Sequence, residues 1–201
     1  MTGSAWLPDE VHAIVDLLAG YSLPWAVCGG WAVDLFAGRQ TRAHKDIDVA
    51  LLRRDQLVMQ SYLSERGRSL EIAHDGVLTP WKPRLLIELP VHGVWCRNAA
   101  FRPDFLELLL NEGDEREFRF RRDSAIRMPF ERAFVRAPCG VPVLAPELAL
   151  LYKSAHPELP ENAADWRTGL SLLSTEQRLW LQSGIGRGDD SHQWLKSLRA
   201  G

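Results

Sequence analysis

The sequence predicts an α+β protein, in which helices and strands alternate over the first part of the chain and helices alone follow. Over residues 9–38, a helical pattern is followed by a short apolar run, a Gly-Gly pair and a second helical pattern. Near residue 140, the prolines and glycine of RAPCGVPVLAP interrupt the alternation, and the segments beyond it have helical periodicity. We therefore expect a mixed sheet flanked by helices in residues 1–140 and a helical part in residues 141–201.

The first elements follow from short patterns. DEVHAIVDLLAG has apolar residues at helical spacing and predicts a helix that stops at Gly20. PWAVCGG, which is bounded by Pro24 and two glycines, predicts a buried strand, and WAVDLFAG predicts a helix that ends at Gly38. KDIDVALL, a mainly apolar run, predicts the next strand.

The remaining elements up to residue 140 alternate in the same way. RRDQLVMQSYLSERG predicts an amphipathic helix closed by Gly67, and SLEIAHDG predicts a strand. DFLELLLNEGDEREFRFRRD predicts two strands joined by a turn at Gly113. The Pro- and Trp-rich stretch between these segments has no clear periodicity.

Composition indicates an ordinary globular protein. The formal net charge of -2 gives no basic excess, and this disfavours nucleic acid as a partner. The odd number of cysteines, Cys28, Cys96 and Cys139, at wide spacings predicts a reducing, cytoplasmic setting rather than a disulfide framework. Because the N-terminus lacks a basic stretch before an apolar core and no long apolar run occurs, we expect neither secretion nor a membrane span.

Two aspartates lie one residue apart in the second predicted strand. Because strand side chains alternate, Asp46 and Asp48 would project from the same face. Their repulsion is costly unless a cation lies between them, and Mg²⁺ prefers hard oxygen ligands of this kind. A solvated face of an edge strand explains Asp-x-Asp equally well on its own.

The glycine pair adds a second feature. Gly29 and Gly30 follow a strand and open a helix, where backbone N–H groups can approach a phosphate closely. A tight strand-to-helix turn is the structural alternative. Together with the acid pair, however, the glycines predict a phosphate site beside a metal site, as nucleotidyl transfer requires.

The segment GGWAVDLFAGRQTRAHKDIDVALL resembles the nucleotidyltransferases of the DNA polymerase β superfamily. It is most similar to the aminoglycoside 2''-adenylyltransferase and lincosamide nucleotidyltransferase branch, which shares the patterns at residues 29–34 and 42–48. LLLNEGDEREFRFRRDSAIRMP and VPVLAPELALLYKSAHPE resemble uncharacterised members of the same branch. The resemblance implies a polymerase β-like nucleotidyltransferase fold.

The resemblance also implies a metal-dependent mechanism. Asp46 and Asp48 would hold two Mg²⁺ ions that orient the triphosphate. A third carboxylate from a neighbouring strand would complete one metal site and help deprotonate the acceptor hydroxyl. Glu107 and Asp104 compete for that role and lie on opposite faces of the predicted strand. We favour Glu107, because it lies deeper in the apolar run and a charge there needs a partner.

Basic residues would bind the triphosphate. The resemblance implies that Lys153, at the start of the helical part, faces the nucleotide. Arg39, Arg42, His44 and Lys45 form a basic linker between the glycines and the acid pair, and at least one of them should contact a phosphate. His44 fits a bracing role equally well.

A few other residues have weaker assignments. Trp31, Trp81 and Trp95 are candidates to stack on a base or sugar in the cleft between the two parts. Asp34 fits a bracing role at least as well as a catalytic one. The segment ENAADW departs from the relatives' pattern and retains Asp165.

These observations predict an Mg²⁺-dependent nucleotidyltransferase. It would transfer a nucleoside monophosphate to a hydroxyl of a small molecule such as an aminoglycoside-like antibiotic. We expect the transferred group to be AMP and its donor to be ATP. The alternative is a catalytically silent binding protein or antitoxin-like partner with the same fold. A tRNA acceptor is disfavoured by the charge, and we expect a monomer or dimer.

Overall fold

The computed structural model describes residues 6–100 and 102–199. The described helices are α1 (Asp9–Leu18), α2 (Gly29–Ala37), α3 (Gln56–Ser64), α4 (Phe130–Ala133), α5 (Pro146–Lys153), α6 (Pro160–Leu170), α7 (Thr175–Gly188) and α8 (Gln193–Arg199). The described strands are β1 (Trp25–Val27), β2 (Asp48–Leu52), β3 (Ser69–His74), β4 (Val77–Pro80), β5 (Gly93–Arg97), β6 (Phe105–Gly113), β7 (Glu117–Arg119), β8 (Arg127–Pro129), β9 (Phe134–Arg136) and β10 (Pro142–Leu144). Across these two ranges, we find no helix whose length and apolar character would let it cross a membrane.

The strands form one mixed sheet in the order β4-β3-β5-β6-β2-β1-β10-β9. The pairs β2–β6 and β1–β10 are parallel, and the other neighbours along this path are antiparallel. β7 pairs with the end of β6, and β8 pairs with β7. The predicted α+β fold with a mixed sheet flanked by helices is therefore confirmed.

The centre of the sheet is apolar on both faces. Residues 49–52 of β2 are at most 1% exposed, so both sides of this strand are covered. Its charged residue is the first one, Asp48, where the strand emerges from the core. The charge of β2 thus lies at its first residue, and residues 49–52 pack into the apolar core.

The structure differs from the sequence prediction in several segments. β2 begins at Asp48, so Asp46 precedes the strand instead of lying within it. Pro142–Leu144 forms β10 inside the sheet, so the helical part begins at Pro146 rather than at residue 141. The Pro- and Trp-rich stretch contains β4 and β5. β7 ends at Arg119, four residues before the end of the predicted segment at Asp123. Each missed strand segment is short, and pairing with a neighbour rather than local periodicity determines it.

The C-terminal helices pack on the sheet domain and on each other. α5 and α6 both lie against α2, and Leu148 and Leu150 of α5 are fully buried. At the far end, Trp194 of α8 stacks on Trp166 of α6, with ring centroids 4.3 Å apart and planes 15° apart. This packing holds the end of α5 over the start of β2.

We expect Trp194→Ala to lower the free energy of unfolding by about 3 to 5 kcal/mol, because it removes a buried aromatic ring and leaves a cavity against Trp166. The matched control is Leu179→Ala on α7, where the side chain is 61% exposed and a change below about 0.5 kcal/mol is expected. Urea unfolding measures both. Equal, small changes would show that α8 does not contribute to the fold.

Candidate active site

Three carboxylates converge at the start of β2. Asp48 opens this strand and pairs in register with Glu107 on the parallel strand β6. The Glu107 backbone N–H donates to the carbonyl of Ile47 at 2.9 Å, so the ladder extends back to the residue that follows Asp46. Because neighbouring strands are about 4.8 Å apart, the Asp48 and Glu107 side chains share one face at close range. Asp104 is exposed and lines a different surface, beside α1.

The electrostatics of the carboxylates follow from this proximity. Burial, and then the negative charge of Asp46, raise the pKa of Asp48 to about 6. Burial, followed by the charges of Asp48 and Asp46, raises the pKa of Glu107 to about 7. Repulsion between like charges raises a carboxyl pKa, as found for both residues, whereas a bound cation would lower these pKa values.

The donor set fits magnesium rather than a closed protein cage. Within residues 6–100 and 102–199, no group of three or more His, Cys, Asp or Glu side chains is arranged so that it could hold a metal ion. Mg²⁺ commonly takes one or two protein carboxylates and completes its shell with water and substrate phosphates. Asp46 and Asp48 provide that type of donor, and they line one cavity together.

The glycine pair makes room for the charged side chains. Gly29 opens α2 with φ +64°, and a Cβ there would overlap the Asp48 carboxylate. A Cβ at Gly30 would overlap the guanidinium of Arg42 and approach the ring of His44. The first N–H groups of α2 have no partner within the helix, so its positive end lies next to these side chains and can receive an anion.

Asp165 of α6 joins the two cations predicted for the nucleotide. Its buried carboxylate accepts hydrogen bonds from Arg42 Nε at 2.7 Å and Arg42 Nη2 at 2.8 Å, and it lies 2.7 Å from Lys153 Nζ. The Lys153 ammonium also donates to Asn162 Oδ1 at 3.2 Å. One buried anion therefore holds the linker, α5 and α6 together. The sequence contains no local signal for this arrangement, because Asp165 is 123 residues from Arg42.

His44 braces the linker and also lines the cavity. Its Nε2 lies 2.7 Å from Oδ2 of Asp34, and its ring stacks on Trp31 with centroids 4.1 Å apart. Asp34 also accepts from the backbone N–H of Thr41 at 3.0 Å and from the Thr41 hydroxyl. Burial alone would raise the pKa of Asp34, but the hydrogen bonds from His44 and Thr41 bring it below its usual value. Asp34 thus has the bracing role that the sequence allowed.

A cavity of about 280 Å³ lies between the linker and the helical part, and we call it the loop cavity. Its lining combines the predicted cations and acids: Gly30, Arg42, Ala43, His44, Lys45, Asp46, Asp48, Lys153 and Glu161. Arg39 lies outside it, on an exposed surface beside α6. The structure thus gathers most of the predicted nucleotide-binding residues around a single opening.

Two of the three predicted stacking residues are unavailable for stacking on a ligand. Trp31 is 5% exposed and covered by His44, and Trp81 is 6% exposed with its Nε1 donating to Leu85 O at 2.8 Å. The expectation that they stack on a base or sugar was wrong, because both rings pack into the core. Trp95 is half-buried and pairs in register with Glu107, so it remains next to the carboxylates.

The fold and the glycine and aspartate motifs resemble those of nucleotidyltransferases, and comparison with known proteins finds the same resemblance. Residues 10–96 match the family model described as aminoglycoside-2''-adenylyltransferase. A lincosamide resistance protein from Staphylococcus haemolyticus is 34% identical over 64 residues, which are 31% of this chain and 39% of that protein. The chain thus spans about two fifths of the length of this curated relative.

Solved structures show the same fold over most of the chain. ANT(2'')-Ia in complex with adenylyl-2''-tobramycin has a TM-score of 0.59 and 18% identity, with 89% of this chain and 96% of that chain covered. The lincosamide antibiotic adenylyltransferase LnuA, bound to lincomycin, has a TM-score of 0.58 and 18% identity, with 83% and 98% covered. The resemblance predicted from the glycine and aspartate motifs is therefore confirmed.

We expect Asp165→Asn to lower the free energy of unfolding by about 3 to 5 kcal/mol, because the Arg42 and Lys153 cations then lose their buried counter-ion. The matched control is Glu176→Gln, which breaks an exposed pair with Arg132 and should cost below about 1 kcal/mol. Chemical denaturation compares the two variants. A loss for Asp165→Asn no larger than that of the control would contradict the proposed link.

We expect the wild-type protein without metal to lose stability as pH rises from about 4 to about 7. Because the pKa of Asp48 is raised to about 6, the folded state binds more protons than the unfolded state between the two pKa values. Asp48→Asn should therefore gain on the order of 2 kcal/mol relative to wild type at the upper end of this range. Denaturation at a series of pH values measures the difference, and parallel curves for the two proteins would refute it.

Proposed function

We propose that this protein is an Mg²⁺-dependent nucleotidyltransferase that moves a nucleoside monophosphate from a nucleoside triphosphate to a hydroxyl group of a small molecule. The observation that carries the proposal is the convergence of Asp46, Asp48 and Glu107 next to the N-terminus of α2, beside a cavity lined by cations. Phosphoryl chemistry needs both parts: oxygen donors for a divalent cation and positive groups for the phosphates.

The carboxylates have separate roles in this proposal. Asp46 and Asp48 would hold the magnesium ions, which supply charge neutralisation at the phosphates when bound. Glu107 would accept the proton of the acceptor hydroxyl, for which a pKa raised to about 7 by burial and by Asp48 suits a general base near neutral pH. Asp104, the competing candidate, is exposed and lines a different surface beside α1, which supports Glu107.

The triphosphate would lie in the loop cavity. Arg42 and Lys153 both line it, next to each other on the Asp165 carboxylate, and the exposed Lys45 also lines it. The free N–H groups at the start of α2 would bind a phosphate oxygen next to Gly30. Arg42 and Lys153 are already oriented by Asp165, so little side-chain entropy is lost when the phosphates bind.

The reaction is a displacement at the α-phosphorus. The acceptor oxygen forms a bond to this phosphorus while the bond to the bridging oxygen of the β-phosphate breaks. The hydroxyl proton passes to Glu107, and pyrophosphate leaves with the bonding electron pair. ATP is the first donor to test, since the matched family description and the LnuA structure both name adenylyl transfer.

The setting remains part of the proposal. Cys28, Cys96 and Cys139 are free thiols, in agreement with a reducing, cytoplasmic environment. We expect a monomer or a dimer, with an antibiotic-like molecule bearing hydroxyl groups as the acceptor. The named relatives act on, or bind, tobramycin and lincosamides.

The proposal is tested by calorimetric titration of ATP with and without Mg²⁺. Wild type should bind ATP in a magnesium-dependent manner, and Asp46→Asn should weaken that binding at least about tenfold, because one oxygen donor is lost. The matched control is Asp104→Asn, which removes an exposed carboxylate outside the site and should leave the affinity unchanged. If no nucleoside triphosphate binds to wild type, the catalytically silent or antitoxin-like alternative is favoured.

A second measurement tests the general base. With an acceptor that supports pyrophosphate release, Glu107→Gln should reduce kcat at least about 100-fold while magnesium-dependent ATP binding persists. Asp104→Asn serves again as the control and should retain wild-type turnover. A loss of turnover in Asp104→Asn alone would reverse the assignment of the third carboxylate.

A further inference from the structure

A second cavity of about 170 Å³ adjoins the loop cavity, and we call it the distal cavity. The two cavities share Asp48 and Lys153, and otherwise their linings differ. The distal cavity is lined by Cys28, Gly29, Asp48, Ala50, Leu109, Asn111, Arg121, Arg122, Leu144, Ala149, Tyr152 and Lys153. Its near end is thus at the proposed metal site, and its far end is not used by the proposed nucleotide.

The far end carries an ordered polar cluster around Tyr152. The Tyr152 hydroxyl donates to Asn111 Oδ1 at 2.9 Å. Arg122 Nη1 donates to the backbone carbonyl of Tyr152 at 2.7 Å. The guanidinium carbons of Arg121 and Arg122 lie 5.3 Å and 5.5 Å from the Tyr152 ring centroid. Both arginines are therefore held at the cavity by one aromatic side chain.

Neither arginine forms an ion pair with a carboxylate of the described residues. Arg119, two residues before Arg121, instead donates to Glu117 and lies 3.3 Å from Asp114. Among the residues that line the distal cavity, Asp48 is the acidic one, and it is assigned to the metal. The far end consequently presents two guanidinium groups that no carboxylate of the described residues contacts directly, and the charge of Glu107 acts on Arg121 only from a distance.

The two guanidinium groups favour an anionic ligand and disfavour a polycationic one. A partly buried guanidinium without a counter-ion has lost hydration, and burial lowers the pKa of Arg121 accordingly. A carboxylate or phosphate group that enters the cavity restores hydrogen bonds in the paired geometry that guanidinium groups favour. A polycationic ligand would meet repulsion from Arg121 and Arg122 at the same place.

The spacing along β6 fits a small bifunctional molecule. Glu107, Leu109 and Asn111 share one face, and Asn111 is four residues beyond Glu107, which corresponds to about 13 Å along a strand. The walls between the two ends are apolar and include Ala50 and Leu144. Because the charge of Glu107 acts on Arg121, a small molecule with a hydroxyl at one end and an anionic group at the other would fit between the carboxylates and the arginines.

We infer that the distal cavity binds the acceptor and that the acceptor is a hydroxyl-bearing organic anion, with its carboxylate or phosphate group held by Arg121 and Arg122. This inference rests on the proposed function and narrows its substrate class away from polycationic aminoglycosides. The hydroxyl end would lie near Asp48 and Glu107, where the proposed transfer takes place. Nucleotide phosphates have the same chemistry as the acceptor's anionic group, so the experiment must separate the two sources.

The first arm measures binding without turnover. The probe is glycerol 3-phosphate, titrated into wild type that is saturated with Mg²⁺ and a non-hydrolysable ATP analogue. We expect binding that weakens at least about tenfold in Arg121→Gln and is partly restored in Arg121→Lys. The matched control is Arg119→Gln, which removes a nearby arginine that is paired with Glu117 and should bind like wild type.

The nucleotide affinity of Arg121→Gln separates the two sources of phosphate. We expect magnesium-dependent binding of the ATP analogue to stay within about twofold of wild type, which also shows that the variant is folded. If this affinity falls together with that for glycerol 3-phosphate, the arginines bind the nucleotide and the inference is wrong. If the analogue fails to bind wild type at all, the proposed function itself fails.

The second arm measures pyrophosphate release from ATP with acceptors of different charge. Sugar phosphates and hydroxy acids should support release above background, and tobramycin should not. Arg121→Glu should lower release with the anions and raise it with tobramycin, because the charge at the far end is reversed. Release with tobramycin by wild type that is unchanged in Arg121→Glu would overturn the inference and leave the proposed function intact.

Discussion

The repulsion between carboxylates held side by side on two parallel strands is the constraint on which the site depends. The register of β2 on β6 fixes Asp48 beside Glu107, so the backbone ladder rather than side-chain freedom determines their separation. The surroundings accommodate this charge: Gly29 has no side chain where the Asp48 carboxylate lies, and the backbone N–H of Cys28 donates to the Asp48 carbonyl at 2.8 Å. The positive end of α2 is thereby tied to the start of β2.

A second buried carboxylate, Asp165, is paired with cations and connects the sheet domain to the helical part of the protein. Asp165 pairs with Arg42 from the linker and Lys153 from α5, so the cations that face the loop cavity are oriented by a residue of the helical part. Buried pairs of this kind contribute little net stability, but loss of one partner leaves uncompensated charge. The helical part therefore orients two of the cations that line the loop cavity, although Asp48 and Glu107 belong to the sheet.

The similarity to known proteins is uneven along the chain, and this bears on substrate choice. The family match covers residues 10–96, which include the glycines, the linker and the acid pair. Arg121, Tyr152 and Lys153 lie beyond it, and two of them form the far end of the distal cavity. The matched region carries the motifs on which the proposed nucleotidyl transfer rests, whereas the proposed acceptor side is built mainly from residues that the family match does not reach. The acceptor therefore has to be inferred from this chain's own residues.

The sequence alone determined the elements with strong local patterns and the motif with fixed spacing. Helical periodicity predicted α1, α2 and the C-terminal helices, because it depends on residues close together in the chain. For the same reason, the glycines with Asp46 and Asp48 pointed to the candidate site that we propose. Only the tertiary structure decided what distant residues do. It placed Pro142–Leu144 in the sheet and paired Asp165 with Arg42. It also directed the Arg121 side chain to the lining of the distal cavity, whereas Arg119 forms an ion pair with Glu117. Strand pairing and ion pairing between remote residues depend on the folded arrangement of the whole chain, and a local pattern does not encode them.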